Sequence, residues 1–227
     1  MKKYSVTFYD LIGYLVPGLF FTLSIATTSS LLFQNGMIVQ KVYTMKWPWH
    51  LVLGYVSGHI IQAITTAVLR FDVGKWWKKN GWDPQFKKKI ISLLGKEMVG
   101  NDKADIIPNT THAHFAENYI KSDIQIDRAE TFRALQGFFR GMAGVLASMF
   151  FASGLFFILK TPFELNIADV KINISPSVMA VIGILCGLAA VIFYYRFRQF
   201  AGYRLRTIFL AFYAASTVNG NSISEIQ

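Results

Sequence analysis

One cysteine, Cys186, in 227 residues leaves no intramolecular disulfide framework to hold this chain together. Acidic residues are also scarce: 13 Asp and Glu stand against 23 Lys and Arg, a formal net charge of +10. Charge of either sign is missing altogether from four windows, 11–32, 49–69, 141–159 and 177–195, which hold 22, 21, 19 and 19 residues. Also absent are a P-loop, a dinucleotide-binding fingerprint, a zinc-ligand pattern and a nucleophile–base arrangement. The chemistry those motifs carry is therefore not expected, and the chain reads as a non-enzyme with no cofactor, catalytic residue or metal ligand. "HAHFAE" offers His112, His114 and Glu117 in a polar segment, which is read as solvated or structural rather than metal-binding.

What is present is apolar. The chain is 53% hydrophobic and 15% aromatic, with mean hydropathy +0.36, a composition outside the range of ordinary soluble domains. A helix needs roughly 20 apolar residues to cross the hydrocarbon core, and all four windows qualify. The run after "MKK" exceeds the h-region of a secretory signal and is read as a spanning helix. The expected architecture is an all-α membrane protein with four transmembrane helices arranged as two hairpins. Residues 1–70 form the first hairpin, with helices at about 8–33 and 48–70. Residues 71–133 form a basic helical cytoplasmic insert. Residues 134–195 form the second hairpin, with helices at about 134–160 and 176–195, and residues 196–227 form a cytoplasmic tail helix.

Nineteen of the 23 Lys and Arg lie at the N-terminus, within 70–140, or in the tail, leaving Lys41, Lys46, Lys160 and Lys171 for the other side. By the positive-inside rule both termini and the insert face the cytoplasm of a bacterial inner membrane. The two outer loops, "NGMIVQKVYTMK" and "TPFELNIADVKINIS", alternate apolar and polar residues in part, as strands pairing in a small external sheet would.

Several groups invite a functional reading. Thr7 and Asp10 form T-x-x-D ahead of an apolar run, the capping-box pattern, with an intramembrane ion site as the alternative. Asp10 and Arg140 lie at comparable depth, so an ion pair is possible, against snorkelling of Arg140 to lipid phosphate. Pro17-Gly18 predicts a kink near 11–13, because proline removes a donor and crowds the carbonyl four residues earlier. Three G-x-x-x-G spacings (Gly54/Gly58, Gly137/Gly141, Gly183/Gly187) suit close helix packing within the chain or between copies, so a homo-oligomer is expected. His59 and Gln62 are polar residues deep in the second window and three apart. They either bond to another helix or line a polar pathway.

The insert carries Lys75, Lys78, Lys79, Lys87, Lys88 and Lys89 interleaved with Trp76, Trp77, Trp82 and Phe86. Tryptophan and lysine just inside a membrane read as an interfacial belt on anionic inner-leaflet lipid. The second choice is a nucleic acid or nucleotide, stacked on the aromatics and held by the lysines. Phe86, Ile90, Leu94 and Met98 make one stripe of an amphipathic helix, and Phe197, Ala201, Leu205, Ile208 and Phe212 make another in the tail. The tail either continues the fourth helix or lies along the membrane surface. Ser122 and Gln125 fit a capping box for a helix over "SDIQIDRAETFRALQGFFR", which either stays within the insert or runs without a break into the third spanning helix.

At "YDLIGYLVPGLFF", "LVLGYVSGHIIQA" and "RAETFRALQGFFRGM" the sequence resembles a class of small bacterial inner-membrane proteins that pair two helical hairpins with a basic cytoplasmic insert. Members sit in defence loci, among them CRISPR accessory membrane proteins and the membrane subunit of the Kiwa system. The resemblance is one of layout and texture over most of the chain. It implies a membrane sensor, or a pore-forming or membrane-perturbing effector, of anti-phage defence, working with a cytoplasmic protein partner. It transfers no individual residue. A small channel or transporter and a passive anchor for a soluble complex are the alternatives.

Overall fold

A computed structural model describes residues 11–32, 37–100, 107–120, 125–159, 163–167 and 170–224. The chain divides into two compact units, Met1–Leu69 with Ala134–Arg198, and Arg70–Arg133 with Gln199–Gln227.

The first unit opens on a π-helical turn, Leu11–Leu15, which passes into α1, Val16–Leu32. Its cause is Pro17, which has no N–H to return to the Gly13 carbonyl, so the helix widens just where the kink is expected. Next come α2 (Met37–Thr44) and α3 (Trp47–Val68), the latter with a proline in its first turn, where a missing N–H costs nothing. The unit is completed by most of α7 (Gln125–Leu159), by strands β1 (Phe163–Ile167) and β2 (Val170–Ile174), and by the first part of α8 (Pro176–Ser224). Four helical stretches, Leu11–Ser29, Trp47–Val68, Arg128–Leu159 and Pro176–Thr217, are long and apolar enough to cross a membrane.

Two expectations change. Among the described residues the two loops expected outside do not pair with each other. The first contains α2, whose Lys41 lies in the last turn where the helix dipole favours a cation. The second folds on itself, with Phe163 opposite Ile174, Leu165 opposite Ile172 and Ile167 opposite Val170. A local hairpin closes a far shorter loop than a pairing across the chain would. The second change is in length: α7 begins at Gln125 rather than near 134. Of the two readings of the tail the structure has the first, with α8 continuing past 195 to Ser224.

The second unit has its own core. Helices α4 (Val73–Lys79), α5 (Pro84–Val99) and α6 (Thr110–Tyr119) bury Val73, Trp77, Ile90, Leu94 and Ala116 with Leu205, Ile208, Phe209 and Phe212 of α8. Both expected stripes are thus covered by protein: Ile90, Leu94 and Phe212 are fully buried. The amphipathic stripe of α5 thus faces the core of this unit. Each helix start is satisfied locally. Asp72 accepts from the Lys75 N–H, and its carboxyl lies below the usual range chiefly because of that hydrogen bond. Asp83 accepts from the Gln85 and Phe86 N–H groups. Gly100 ends α5 in the left-handed conformation at φ 69°, which favours glycine.

At α6 the Asn109 side chain accepts from the His112 N–H, and His112 Nδ1 accepts from the Asn109 N–H, both at 3.1 Å. Burial holds the imidazole below its ordinary pKa of 6.5. The unfolded chain therefore binds the extra proton first, so this cap contributes fully above about pH 6.5 and is lost as pH falls through the lowered folded value. Acidification below about pH 6.5 should weaken α6, seen as faster hydrogen exchange after correction for intrinsic rates. His112→Gln keeps the reach-back partner and should erase the pH dependence. If wild type and variant respond alike to pH, the histidine is not the cause.

Candidate functional site

In the first unit, α1 and α3 meet through small residues. A Cβ on Gly18 would fall within the Gly54 carbonyl and the Gly58 amide, and one on Gly58 would strike the Tyr14 carbonyl. One on Gly54 would lie 2.7 Å from the Leu19 side chain. Thr22 Oγ1 donates to Ser57 Oγ at 2.9 Å along the same seam. The "GYVSG" face is therefore filled by the chain's own first helix. The other two are also filled: a Cβ on Gly141 would sit 2.9 Å from both Gln62 Nε2 and Pro17 Cβ, and one on Gly137 3.6 Å from Gln62 Nε2. One on Gly183 would lie 2.7 Å from Ser153, and one on Gly187 3.0 Å from the Phe150 ring. Of the two uses the spacing allows, these contacts are the packing within the chain.

Above this seam lies a polar node. Gln62, only 5% exposed, donates through Nε2 to the Gly13 carbonyl at 3.0 Å and to the Gly137 carbonyl. Its Oε1 accepts from Arg140 Nε at 3.1 Å and Nη2 at 2.8 Å. The Arg140 guanidinium also lies over the Phe197 ring, 6.0 Å from its centroid. The Gly13 carbonyl is the acceptor that Pro17 leaves without its helical donor. One side chain thus answers a backbone vacancy in the first helix and orients a cation on α7. In hydrocarbon an unsatisfied amide or carbonyl costs several kcal/mol, so the three partners hold one another in place. Asp10, the expected partner of Arg140, lies outside the described residues, as do Thr7 and Ser122.

His59 parts company with Gln62. It is exposed, stacked on Tyr14 with centroids 4.3 Å apart and edge-on to Tyr55 at 4.6 Å. An apolar cavity of about 360 Å³ opens elsewhere in this unit, lined by residues that include Phe20, Ser24, Met149, Phe156 and Met179.

In the second unit the aromatic-basic stretch is turned inside out relative to the interfacial-belt reading. Trp77 is 4% exposed and meets Phe209 edge-on at 5.1 Å, while Trp76 stacks on Phe209 at 6.4 Å and Trp82 meets Phe86 at 5.5 Å. The rings form an internal wall. The packing engages all three indoles, with Trp77 buried and Trp76 and Trp82 half-buried. Lys75, Lys78, Lys79, Lys88 and Lys89 point outward, and Lys87 Nζ donates to the Asn80 carbonyl at 2.9 Å, tying α5 to the end of α4. Glu117 is engaged by Arg204 Nη2 at 2.7 and 2.9 Å, with His114 3.7 Å away. With His112 in the cap, the members of "HAHFAE" have separate structural roles. Among the described residues no group of three His, Cys, Asp or Glu is placed to hold a metal.

No protein-family model, curated protein or solved structure matches the chain. The site must be judged on its own geometry. Sequence reading missed Gly18, Gly144 and Tyr14 as packing residues, and the Gln62–Arg140 bond. A usable signal existed: a proline at 17 orphans carbonyl 13, and Gln62 is the one side-chain amide in the four charge-free windows.

Proposed function

We propose that the chain is a non-enzymatic, multi-pass protein of a bacterial inner membrane, with both termini inside, that senses membrane disturbance for an anti-phage defence system. The Gln62 node carries this reading. It joins the π-helical turn, α3 and α7 through bonds that are either made or lost, since each group is costly to leave bare in lipid. Such a contact gives a bilayer perturbation two discrete states to choose between. The basic second unit then presents the response to a cytoplasmic protein partner. Direct permeabilisation by the same chain is the effector version of this reading. A transporter with His59 and Gln62 on its pathway has less support, because Gln62 has both its donor and acceptor atoms engaged and His59 is packed on Tyr14.

The test is phage plating on cells carrying the native locus, with potassium efflux followed in parallel. Gln62→Leu should abolish protection while the protein still inserts, and His59→Ala should leave protection intact. Protection retained by Gln62→Leu, at normal protein levels, would refute the sensing role of the node. Steady efflux in uninfected cells that His59→Ala abolishes would favour the transporter.

A further inference from the structure

We infer that the outward lysines of α4 and α5 form a binding surface for the phosphate groups of anionic membrane lipids, acting by charge alone with no aromatic insertion. This rests on the membrane reading above and names the ligand of the basic unit. Lys75, Lys78, Lys79, Lys88 and Lys89 are all exposed. Among the described residues Lys78, Lys79, Lys88 and Lys89 have no carboxylate within ion-pair distance, and the Lys75–Asp72 pair at 3.6 Å is open to solvent. Asp83, the acid between the two lysine groups, is committed to the start of α5. Like charges four apart on a helix, as Lys75 and Lys79 are, repel, so helix stability does not account for the arrangement.

The interior supplies the rest of the argument. Three tryptophans sit between these lysines in sequence, yet they pack on Phe209, on Phe86 and on each other. Their wall fixes α4 and α5 from within, and the Lys87–Asn80 bond fixes the corner between them. What faces outward is a rigidly backed set of ammonium groups, suited to phosphate as point charges. Trp77 is buried and the half-buried Trp76 and Trp82 are engaged by neighbouring rings, which favours a lipid phosphate over a nucleic acid. Lipid phosphate is the nearest supply: α4 begins at Val73, four residues after the Leu69 cap of the apolar α3. A cluster of four to eight lysines directly inside a spanning helix is the arrangement that anionic leaflets attract.

The experiment uses the full chain in nanodiscs of neutral phosphatidylcholine or of phosphatidylcholine mixed with phosphatidylglycerol. Acylation rates of individual lysines are read by mass spectrometry. In the anionic discs Lys78, Lys79, Lys88 and Lys89 should react several-fold more slowly, and the difference should vanish at about 1 M salt, where the Debye length is about 3 Å. A Lys78/Lys79/Lys88/Lys89→Gln variant should reconstitute normally and lose phosphatidylglycerol enrichment by about fivefold for each lysine that meets a headgroup. Equal rates in both discs would overturn the proposal. So would full protection in neutral discs by inorganic phosphate, which would mark a free-anion site, or by a single-stranded oligonucleotide, which would restore the nucleic-acid reading. A chain that fails to enter either disc would instead refute the membrane assignment, a separate result.

Discussion

Gly18→Ala should lower the melting temperature of the detergent-solubilised protein by about 6–12 °C, the equivalent of about 3 kcal/mol in a chain of this size. The added methyl meets the Gly54 carbonyl and Gly58 amide, which are backbone atoms of α3 and cannot swing aside as a side-chain tip would. Relief requires the two helices to move apart. That movement also opens the contact of Gly58 with the Tyr14 carbonyl and the Thr22–Ser57 hydrogen bond. Overpacking of a close-packed interior typically costs about 1–3 kcal/mol, and conflict with backbone puts this case at the top of that range. Gly154→Ala is the control. Nothing lies within 4 Å of a Cβ there, and alanine gains up to about 1 kcal/mol of helix propensity. The control should melt at or above wild type. If Gly18→Ala melts with wild type as well, α1 and α3 do not approach through Gly18.

The second large effect is expected at Gln62, and its size should depend on residue 17. Gln62→Leu leaves the Gly13 carbonyl without its donor and removes the Arg140 acceptor, at about 1–3 kcal/mol for each buried group left unsatisfied. Pro17→Ala restores an N–H four residues beyond Gly13, so the helix can satisfy that carbonyl itself. In the Pro17→Ala background Gln62→Leu should therefore cost less, by about 1 kcal/mol or more of coupling. Melting temperatures of the four proteins close the cycle. Strict additivity would show that Gln62 is not answering the proline. The order of the two single variants is also informative: Pro17→Ala alone should be mild, whereas Gln62→Leu alone should not.

The four apolar helices were legible because their signal is compositional: long windows without charge need no tertiary information. The proline kink was legible for the same local reason. What the sequence could not convey was which surface each face would meet. Trp77 was read as part of an interfacial belt because aromatic and basic residues flank a spanning helix, and the Ile90 stripe carried no sign of its partner, since a periodic stripe looks the same whether protein or lipid covers it. His59 and Gln62 are separated by one helical turn, and only the approach of α7 distinguishes them. Gly141 brings that helix close enough for Arg140 to reach Gln62. Whether the tail continued α8 stayed open because the arginines that interrupt its stripe look like a helix end, although Phe197 and Leu205 on either side are both buried.

The five tryptophans fall into two optical populations. Trp47 and Trp49, at the start of α3, are 71% and 60% exposed, whereas Trp76, Trp77 and Trp82 share an aromatic cluster inside the basic unit. Close rings of this kind couple as excitons, so the near-ultraviolet dichroism of the protein is expected to arise mostly from the inner three. Brominated lipid chains should quench the first pair and spare the cluster. The molecule thus carries two built-in reporters of different colour and different neighbourhood. One reads the surroundings of α3 and the other reads the packing of the second unit's core, with no label added.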